Sequence, residues 1–232
     1  MTADRFREAE RRLAAAYGER QWHPREGEVL DGLVRTILSQ NTSDANSGRA
    51  FQALKAAFPT WDEVRTADLQ SLAQSIRCGG LAETKAARLQ ALLQAIYAER
   101  GETCLEHLRE WSDEDIRAYL GRFPGIGPKT IACLLLFTLG RADFPVDTHV
   151  WRLARRLGWV PESSSREATY ETLNALVPNE IKYALHVLLI HHGRVCCRPQ
   201  RPRCARCCLA DRCAFYTTSR SLGGKGRDAL NR

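Results

Sequence analysis

Apolar residues recur at helical spacing along almost the whole chain, and no stretch alternates apolar and polar residues as a strand does. The clearest apolar stripe runs from Leu30 to Leu38 and ends at a polar segment, Ser39-Gln40-Asn41-Thr42-Ser43-Asp44. Residues that cap or stop helices bound the other segments. The further predicted helices are 45–57, 66–76, 83–97, 112–120, 130–139, 148–157, 165–176 and 179–192. The sequence therefore predicts an all-α fold.

Composition excludes several classes of protein. The longest uncharged apolar segment, Ile131 to Gly140, is about half as long as a membrane-spanning helix. Residues 1–13 are rich in Arg and Glu, unlike a secretory signal. We therefore expect a cytoplasmic protein with no membrane partner. The chain has 34 Lys and Arg against 27 Asp and Glu, and this charge of +7 slightly favours a polyanionic partner. Residues 217–232 have few large apolar residues and are predicted to form a flexible basic tail.

Four cysteines near the C-terminus have the spacing of a metal centre. The chain has nine cysteines, and in a reducing compartment they do not indicate a disulfide framework. Intervals of six, two and five residues separate Cys197, Cys204, Cys207 and Cys213. Zinc with four cysteine ligands and a four-iron cluster both fit such a set. Structural zinc sites usually have two close cysteine pairs, so the single close pair here favours the cluster.

The remaining cysteines are interpreted differently. Cys196 and Cys208 adjoin predicted ligands and cannot easily point at the same centre, so we take them as bystanders. The other three stand in apolar contexts and are predicted to be core residues; they are Cys78, Cys104 and Cys133.

Five arginines lie among the four cysteines, with Asp211 as the single acidic residue. Such a segment cannot form a core, and we interpret it as a basic surface loop that a metal centre holds rigid for phosphate contact. A charged loop that only faces solvent is the alternative. The arginines are Arg198, Arg201, Arg203, Arg206 and Arg212.

A second motif, Phe123-Pro124-Gly125-Ile126-Gly127-Pro128-Lys129-Thr130, lies between two predicted helices. Gly125 and Gly127 permit positive φ and close backbone approach, and Pro128 suits the first turn of a helix. The motif predicts a tight helix-hairpin-helix, in which free amides at a helix N-terminus favour an anion such as a DNA phosphate.

Lys129 falls in the first turn of the helix that follows. The helix dipole disfavours a cation there, and partial burial would disfavour it further. Both effects favour the neutral amine, which can attack a carbon and form a Schiff base. Without further support, a simple contact between Lys129 and a phosphate is the better interpretation.

The third motif, Phe144-Pro145-Val146-Asp147-Thr148-His149-Val150, supplies that support. Asp147 precedes a predicted helix, where the commonest function of an aspartate is to cap the N-terminus. A carboxylate at a helix entry can also stabilise positive charge on a sugar ring. One helix and a turn separate Lys129 from Asp147, so the chain can reverse its direction and bring both side chains to one cleft.

Taken together, these motifs resemble the endonuclease III family of DNA base-excision glycosylases over roughly residues 24–215. The resemblance rests on residues 123–130, on Val146 to His149 at the family's downstream distance, and on the cysteine spacing. It implies that Lys129 is the nucleophile at the sugar C1′ and that Asp147 is its acidic partner. It also implies a 4Fe-4S cluster on Cys197, Cys204, Cys207 and Cys213.

The resemblance extends to domains and DNA contacts. It implies a six-helix barrel with the helix-hairpin-helix over residues 24–140, an iron-sulfur domain over 1–23 and 141–216, and a substrate cleft between them. Leu81 falls where the family carries a residue that wedges into the base stack. Gln40 stands one place before the family's glutamine and Asn41 occupies its position, so either fills the gap that a flipped base leaves. His149, Arg201 and Arg203 are further expected DNA contacts.

The resemblance implies a bifunctional glycosylase and lyase acting on oxidised pyrimidines in double-stranded DNA, and we expect it to be a monomer. Adenine-mismatch glycosylases lack the lysine and carry a carboxylate before the polar segment, where this chain has Val34-Arg35-Thr36-Ile37-Leu38 without an acid. The alternative from another class is a catalytically silent DNA-binding protein that retains the hairpin and the cluster. The presence of both Lys129 and Asp147 argues against it.

Overall fold

The computed structural model describes residues 2–23 and 27–221. Within these ranges no residue lies in a β-strand, and the predicted all-α fold class is confirmed. The α-helices in chain order are α1 (Ala3–Tyr17), α2 (Val29–Leu38), α3 (Asp44–Ala57), α4 (Trp61–Thr66), α5 (Leu69–Ser75), α6 (Ala82–Arg100), α7 (Asp113–Leu120), α8 (Pro128–Phe137), α9 (Thr148–Arg156), α10 (Arg166–Leu176), α11 (Lys182–Val195) and α12 (Ala214–Ser221). Over the described ranges, none of these helices has both the length and the hydropathy to cross a bilayer.

The chain forms two compact units. The continuous unit is Pro24–Leu139 and contains α2 to α8, whereas the split unit joins Met1–His23 with Gly140–Arg232 and contains α1 and α9 to α12. Each unit has its own apolar core. In the split unit, for example, the rings of Phe6 and Trp159 meet edge to face with their centroids 4.9 Å apart. Aromatic contacts of this kind add to the stabilisation that burial gives.

Polar caps decide where the short helices of the continuous unit begin. At α4, Thr60 Oγ1 accepts a hydrogen bond from the Glu63 N–H at 3.2 Å, and the Glu63 carboxylate accepts one from the Thr60 N–H at 3.0 Å. At α5, the Asp68 carboxylate accepts a hydrogen bond from the Ser71 N–H at 2.8 Å. Ala67 between them is extended, with φ −59° and ψ 153°. The helix predicted over 66–76 is therefore confirmed for Leu69–Ser75 but wrong at its start, because Thr66 ends α4, a helix that the prediction did not include.

The C-terminal segment also differs from the prediction. Residues 217–221 were expected in a flexible basic tail, but they belong to α12. Phe215 in this helix lies beneath the Arg156 guanidinium, 4.8 Å from its ring centroid, and this contact ties α12 to α9. The rest of the predicted tail, residues 222–232, lies outside the described residues.

Helices α2 and α8 pack closely and run antiparallel. At one end a Cβ on Gly32 would lie only 2.1 Å from Thr138 Oγ1, so only glycine permits the approach of the two helices at this point. At the other end Gln40, just after α2, is hydrogen-bonded to Thr130 in the first turn of α8. The packing thus brings the polar segment after α2 to the N-terminus of α8.

Candidate active site and metal centre

The hairpin, residues 123–128, joins α7 to α8 in a tight turn. Phe123 and Ile126 are buried in the core of the continuous unit, and the Ile126 N–H donates a hydrogen bond to the Phe123 carbonyl at 3.1 Å. Gly125 has a φ of +85°, which a side chain would strain. Gly127 caps α8 with φ −94°, so of the two glycines only Gly125 uses the positive φ that both permit. A Cβ on Gly127 would meet nothing within 4 Å, which leaves its backbone open to close approach.

Lys129 is the second residue of α8 and its side chain is exposed, so the predicted partial burial is wrong. The first turn of α8 contains no acidic residue. Pro128 has no N–H and the Thr130 N–H bonds the Gly127 carbonyl at 2.9 Å, so the donors left at this end of α8 are the N–H groups of Gly127 and Lys129. Lys129 therefore presents an amine beside a set of backbone donors suited to a phosphate.

The structure separates the two candidates in the polar turn, which we define as residues 39–43. Gln40 Nε2 donates hydrogen bonds to the Gly125 carbonyl at 3.1 Å and to Thr130 Oγ1 at 3.2 Å. Its amide is thus committed to the hairpin. Asn41 is exposed, with φ +54° in the left-handed region. Of the two side chains, Asn41 is the one that is available to a ligand.

Leu81 lies on the leucine loop, residues 79–81, which leads into α6. Its side chain is 55% exposed, a high value for a leucine, and its φ is +53°. Left-handed backbone costs a residue with a Cβ roughly 1–2 kcal/mol. An exposed apolar side chain on a strained backbone is typical of a ligand-contacting position.

Asp147 caps α9 in the split unit, as the sequence predicts. Its Oδ1 accepts hydrogen bonds from the N–H groups of His149 at 2.9 Å and Val150 at 2.8 Å. The side chain is half-buried. Asp147 belongs to the split unit and Lys129 to the continuous unit.

His149 follows Asp147 and is packed against α11. Its Nδ1 lies 3.1 Å from an Arg152 nitrogen, and a Cβ on Gly193 would come within 2.8 Å of the same atom. Burial lowers the pKa of His149, and the charge of Asp147 opposes that shift. The neutral imidazole is thus favoured at this position.

The four predicted ligands surround one pocket in the split unit. Its volume is about 280 Å³, counting space that is open to solvent, and its lining includes Cys197, Cys204, Cys207 and Cys213. All four are free thiols. Burial raises the pKa of three of them, Cys204, Cys207 and Cys213, so their thiolates are costly without a cation. Four thiols around one pocket are a donor set that suits a metal cluster.

Two residues besides the four predicted ligands, Cys196 and His192, lie close to Cys207. Cys196, expected as a bystander, lines the pocket, whereas Cys208 is absent from its lining. The ligand atoms of Cys196, Cys207 and His192 lie within 4.8 Å of one another. His192 is 2% exposed, and burial lowers its pKa to about 4. His192 and Cys196 are four residues apart at the C-terminal end of α11, and this spacing is the signal that could have indicated the pair.

The arginine loop, which we define as residues 198–212, is hydrogen-bonded to α9 at its start. Arg156 donates hydrogen bonds to the carbonyls of Arg198 at 2.7 Å and Pro199 at 2.9 Å, and to Cys197 Sγ at 3.3 Å. Arg201 and Arg203 remain exposed. These contacts hold the backbone of the loop, so its exposed cations have a defined place.

The three cysteines predicted to be core residues differ in burial. Cys133 is buried, Cys104 half-buried and Cys78 exposed, so the prediction is wrong for Cys78.

Comparison with known proteins gives consistent matches. Residues 34–179 match the family described as HhH-GPD superfamily base excision DNA repair protein. A putative DNA glycosylase of Arabidopsis thaliana is 50% identical over 171 residues, which are 74% of this chain and 58% of the plant protein. An endonuclease III of Thermotoga maritima is 32% identical over 184 residues, covering 79% of this chain and 82% of that protein.

Solved protein structures also have the fold of this chain. A structure described as a trapped endonuclease III-DNA covalent intermediate superimposes with a TM-score of 0.79. The two sequences are 25% identical, and the match covers 95% of this chain and 99% of that one. The sequence matches and the structural match thus both extend over most of the chain.

Adding one methyl group should affect stability differently at the two hairpin glycines. Gly125→Ala should lower the free energy of unfolding by about 1–2 kcal/mol, because alanine is strained at positive φ. Gly127→Ala should change it by less than about 0.5 kcal/mol, since its φ is ordinary and its surroundings are open. Gly127→Ala should still weaken binding to undamaged duplex DNA, because the methyl group obstructs phosphate approach. Urea denaturation and fluorescence anisotropy measure the two effects. Wild-type DNA affinity in Gly127→Ala would contradict a phosphate contact at this residue.

Proposed function

Because this chain belongs to the HhH-GPD superfamily of base excision DNA repair proteins, among its endonuclease III-like DNA glycosylases, we propose that it removes oxidised pyrimidines from double-stranded DNA and cleaves the resulting abasic site. The observation that carries this proposal is the exposed amine of Lys129 at the N-terminus of α8, directly after the hairpin. A binding protein needs the backbone donors of this turn but has no use for an amine nucleophile. The pair of Lys129 and Asp147 therefore favours an enzyme.

The proposed chemistry proceeds through a covalent imine. The neutral Lys129 amine attacks C1′ of a nucleotide flipped out of the stack, the C1′–N bond breaks, and the base leaves with the electron pair and takes up a proton. Opening of the sugar ring gives a Schiff base between Lys129 and C1′. Loss of a proton from C2′ then expels the phosphate at C3′, so the strand is cut by β-elimination.

We propose that Asp147 stabilises positive charge on the sugar and transfers protons in these steps. Its Oδ1 alone accepts both capping hydrogen bonds, so the second carboxylate oxygen is not needed for the cap. One carboxylate can therefore hold the start of α9 and still offer a negative charge to the reaction.

We further propose that Cys197, Cys204, Cys207 and Cys213 hold one 4Fe-4S cluster, whose iron–thiolate bonds would cross-link the arginine loop. The buried thiols around one pocket support this assignment. Arg201 and Arg203 would then contact phosphates from a rigid loop. Residues 24–140 would form a six-helix barrel domain, and residues 1–23 with 141–216 the cluster domain.

On the DNA, we propose that the hairpin amides at Gly125 and Gly127 bind a phosphate. Leu81 would wedge into the base stack, and Asn41 would enter the gap that the flipped nucleotide leaves. Gln40 would act indirectly, since its amide is bonded to the hairpin. His149, beside the Asp147 cap, is the remaining proposed contact.

Trapping with borohydride tests Lys129. Wild-type protein incubated with oligonucleotides that carry oxidised pyrimidines should form a stable protein–DNA adduct, because borohydride reduces the imine. Lys129→Gln should form none. Lys55→Gln is the matched control, because it removes another lysine charge of the continuous unit and should trap as wild type does. If the wild-type protein gave neither adduct nor base release on any pyrimidine lesion, the silent DNA-binding alternative would be favoured.

Asp147→Asn separates capping from catalysis. An amide still caps a helix, so the free energy of unfolding and the DNA affinity should change little. Base excision should slow by about 10²-fold or more, because the amide carries no charge to offset the developing cation. Asp68→Asn, the same change at the cap of α5, is the control and should leave the rate unchanged. A wild-type excision rate in Asp147→Asn would reduce the function of Asp147 to a cap.

Metal content tests the ligand assignment. The purified protein should be brown and contain about four irons per chain. Cys197→Ser should lose most of the iron, whereas Cys196→Ser should retain it, because its neighbour is the proposed ligand. About one zinc and no iron would indicate a zinc site on the same cysteines. If Cys196→Ser lost the iron and Cys197→Ser kept it, Cys196 would be the ligand in place of Cys197.

A further inference from the structure

Lys85 in α6 is a charged residue buried in the continuous unit, and the proposed chemistry makes no use of it. Its exposure is 3%, and its Nζ donates hydrogen bonds to the carbonyls of Leu38 at 2.8 Å and Gly79 at 3.0 Å. Within the described ranges no carboxylate forms an ion pair with it. Burying a cation without a counter-ion is costly, so this arrangement requires strong compensation from the two carbonyls.

The two carbonyls belong to the two loops that carry the proposed stack-entering side chains. Leu38 is the last residue of α2 and directly precedes the polar turn with Asn41. Gly79 opens the leucine loop with Leu81. As the C-terminal residue of α2, Leu38 has a carbonyl with no intrahelical partner, and the helix dipole there favours a cation. The Lys85 ammonium group thus gives the last carbonyl of α2 a hydrogen-bond donor, and the same nitrogen bonds the leucine loop.

The same two loops hold strained residues. Of the non-glycine residues with positive φ in the described part of the chain, two are Asn41 and Leu81. Strained backbone persists only where its surroundings fix it. The hydrogen bonds of Gln40 attach the polar turn to the hairpin on its other side. The hairpin, the polar turn and the leucine loop therefore form one connected series.

We propose that Lys85 is a positioning residue that ties the polar turn to the leucine loop, so that Asn41 and Leu81 enter the DNA stack together. This inference rests on the proposed function. Lys85 touches neither the sugar nor the base; it acts through the backbone of the two loops. Without its ammonium group, either loop could relax its strained residue independently and the two side chains would lose their fixed separation.

Hydrogen exchange of the free protein tests the tie without DNA. Lys85→Met keeps an unbranched side chain as far as the ε position and removes the ammonium group, so it should speed amide exchange in both loops, residues 39–43 and 79–81. Lys182→Met is the matched control, because Lys182 in the split unit is also buried, at 4% exposure, and bonds the Ala142 carbonyl at 3.0 Å. It should leave both loops unchanged. Unchanged exchange in Lys85→Met, or a change in only one loop, would overturn the proposal.

A DNA measurement then tests the consequence. The probe is a duplex with a tetrahydrofuran abasic analogue opposite 2-aminopurine, whose fluorescence rises when its stacking is disrupted. Wild type and Lys182→Met should give the full rise, Lys85→Met a rise smaller by severalfold, and Lys85→Arg an intermediate one. Affinity for undamaged duplex should stay within about twofold of wild type in all four, because neither Lys85 nor Lys182 belongs to the hairpin. A full rise in Lys85→Met, or no recovery in Lys85→Arg, would overturn the proposal.

A third measurement needs no substitution of Lys85. If the two loops act together, the effects of Asn41→Ala and Leu81→Ala on binding to the tetrahydrofuran duplex should be non-additive in the double variant. Additive effects would contradict the tie. All these readouts are independent of base excision. A protein that shows the joint release and the non-additivity but excises no base would retain the tie while losing the proposed function.

Discussion

The antiparallel packing of α2 against α8 is the contact on which the candidate site of the continuous unit depends. Gly32 permits it at one end, because a side chain there would collide with Thr138. At the other end it sets Gln40 beside the hairpin, where its amide bonds the Gly125 carbonyl and Thr130. The turn that presents Lys129 is thus held by a helix from a distant part of the sequence. A close backbone contact at one end of two helices determines the position of reactive groups at the other.

In the split unit the constraint is different, because ionising several buried thiols at one place is energetically costly. Burial raises the pKa of Cys204, Cys207 and Cys213, so a cation is needed before they become thiolates. Arg156 contributes by bonding Cys197 Sγ and two carbonyls of the arginine loop. The loop is therefore organised by α9 as well as by its own cysteines. Asp147 begins that same helix, so the cap of α9 and the frame of the metal pocket are parts of one element.

The sequence predicts most of the helices because their apolar period is strong, but it misses features set by short polar contacts or by tertiary packing. The helix predicted from residue 66 begins only at Leu69, because Asp68 caps it, a local signal that the apolar pattern obscures. The spacing alone could not choose between Gln40 and Asn41, because a shift of one residue changes which side chain meets the hairpin. The function of Lys85 was invisible, since a lone lysine is normally exposed and its carbonyl partners come together only in the fold. The pairing of Lys129 with Asp147, the cluster ligands and the domain assignment remain predictions.

Everything proposed for the enzyme requires Lys129 to be the amine that attacks C1′. Mass spectrometry of the borohydride-reduced adduct, after digestion of both protein and DNA, identifies the modified residue in the unaltered protein. We expect a deoxyribose-derived fragment on the peptide that contains Lys129, and on Lys129 itself. A fragment attached to another lysine or to the N-terminal amine would contradict it.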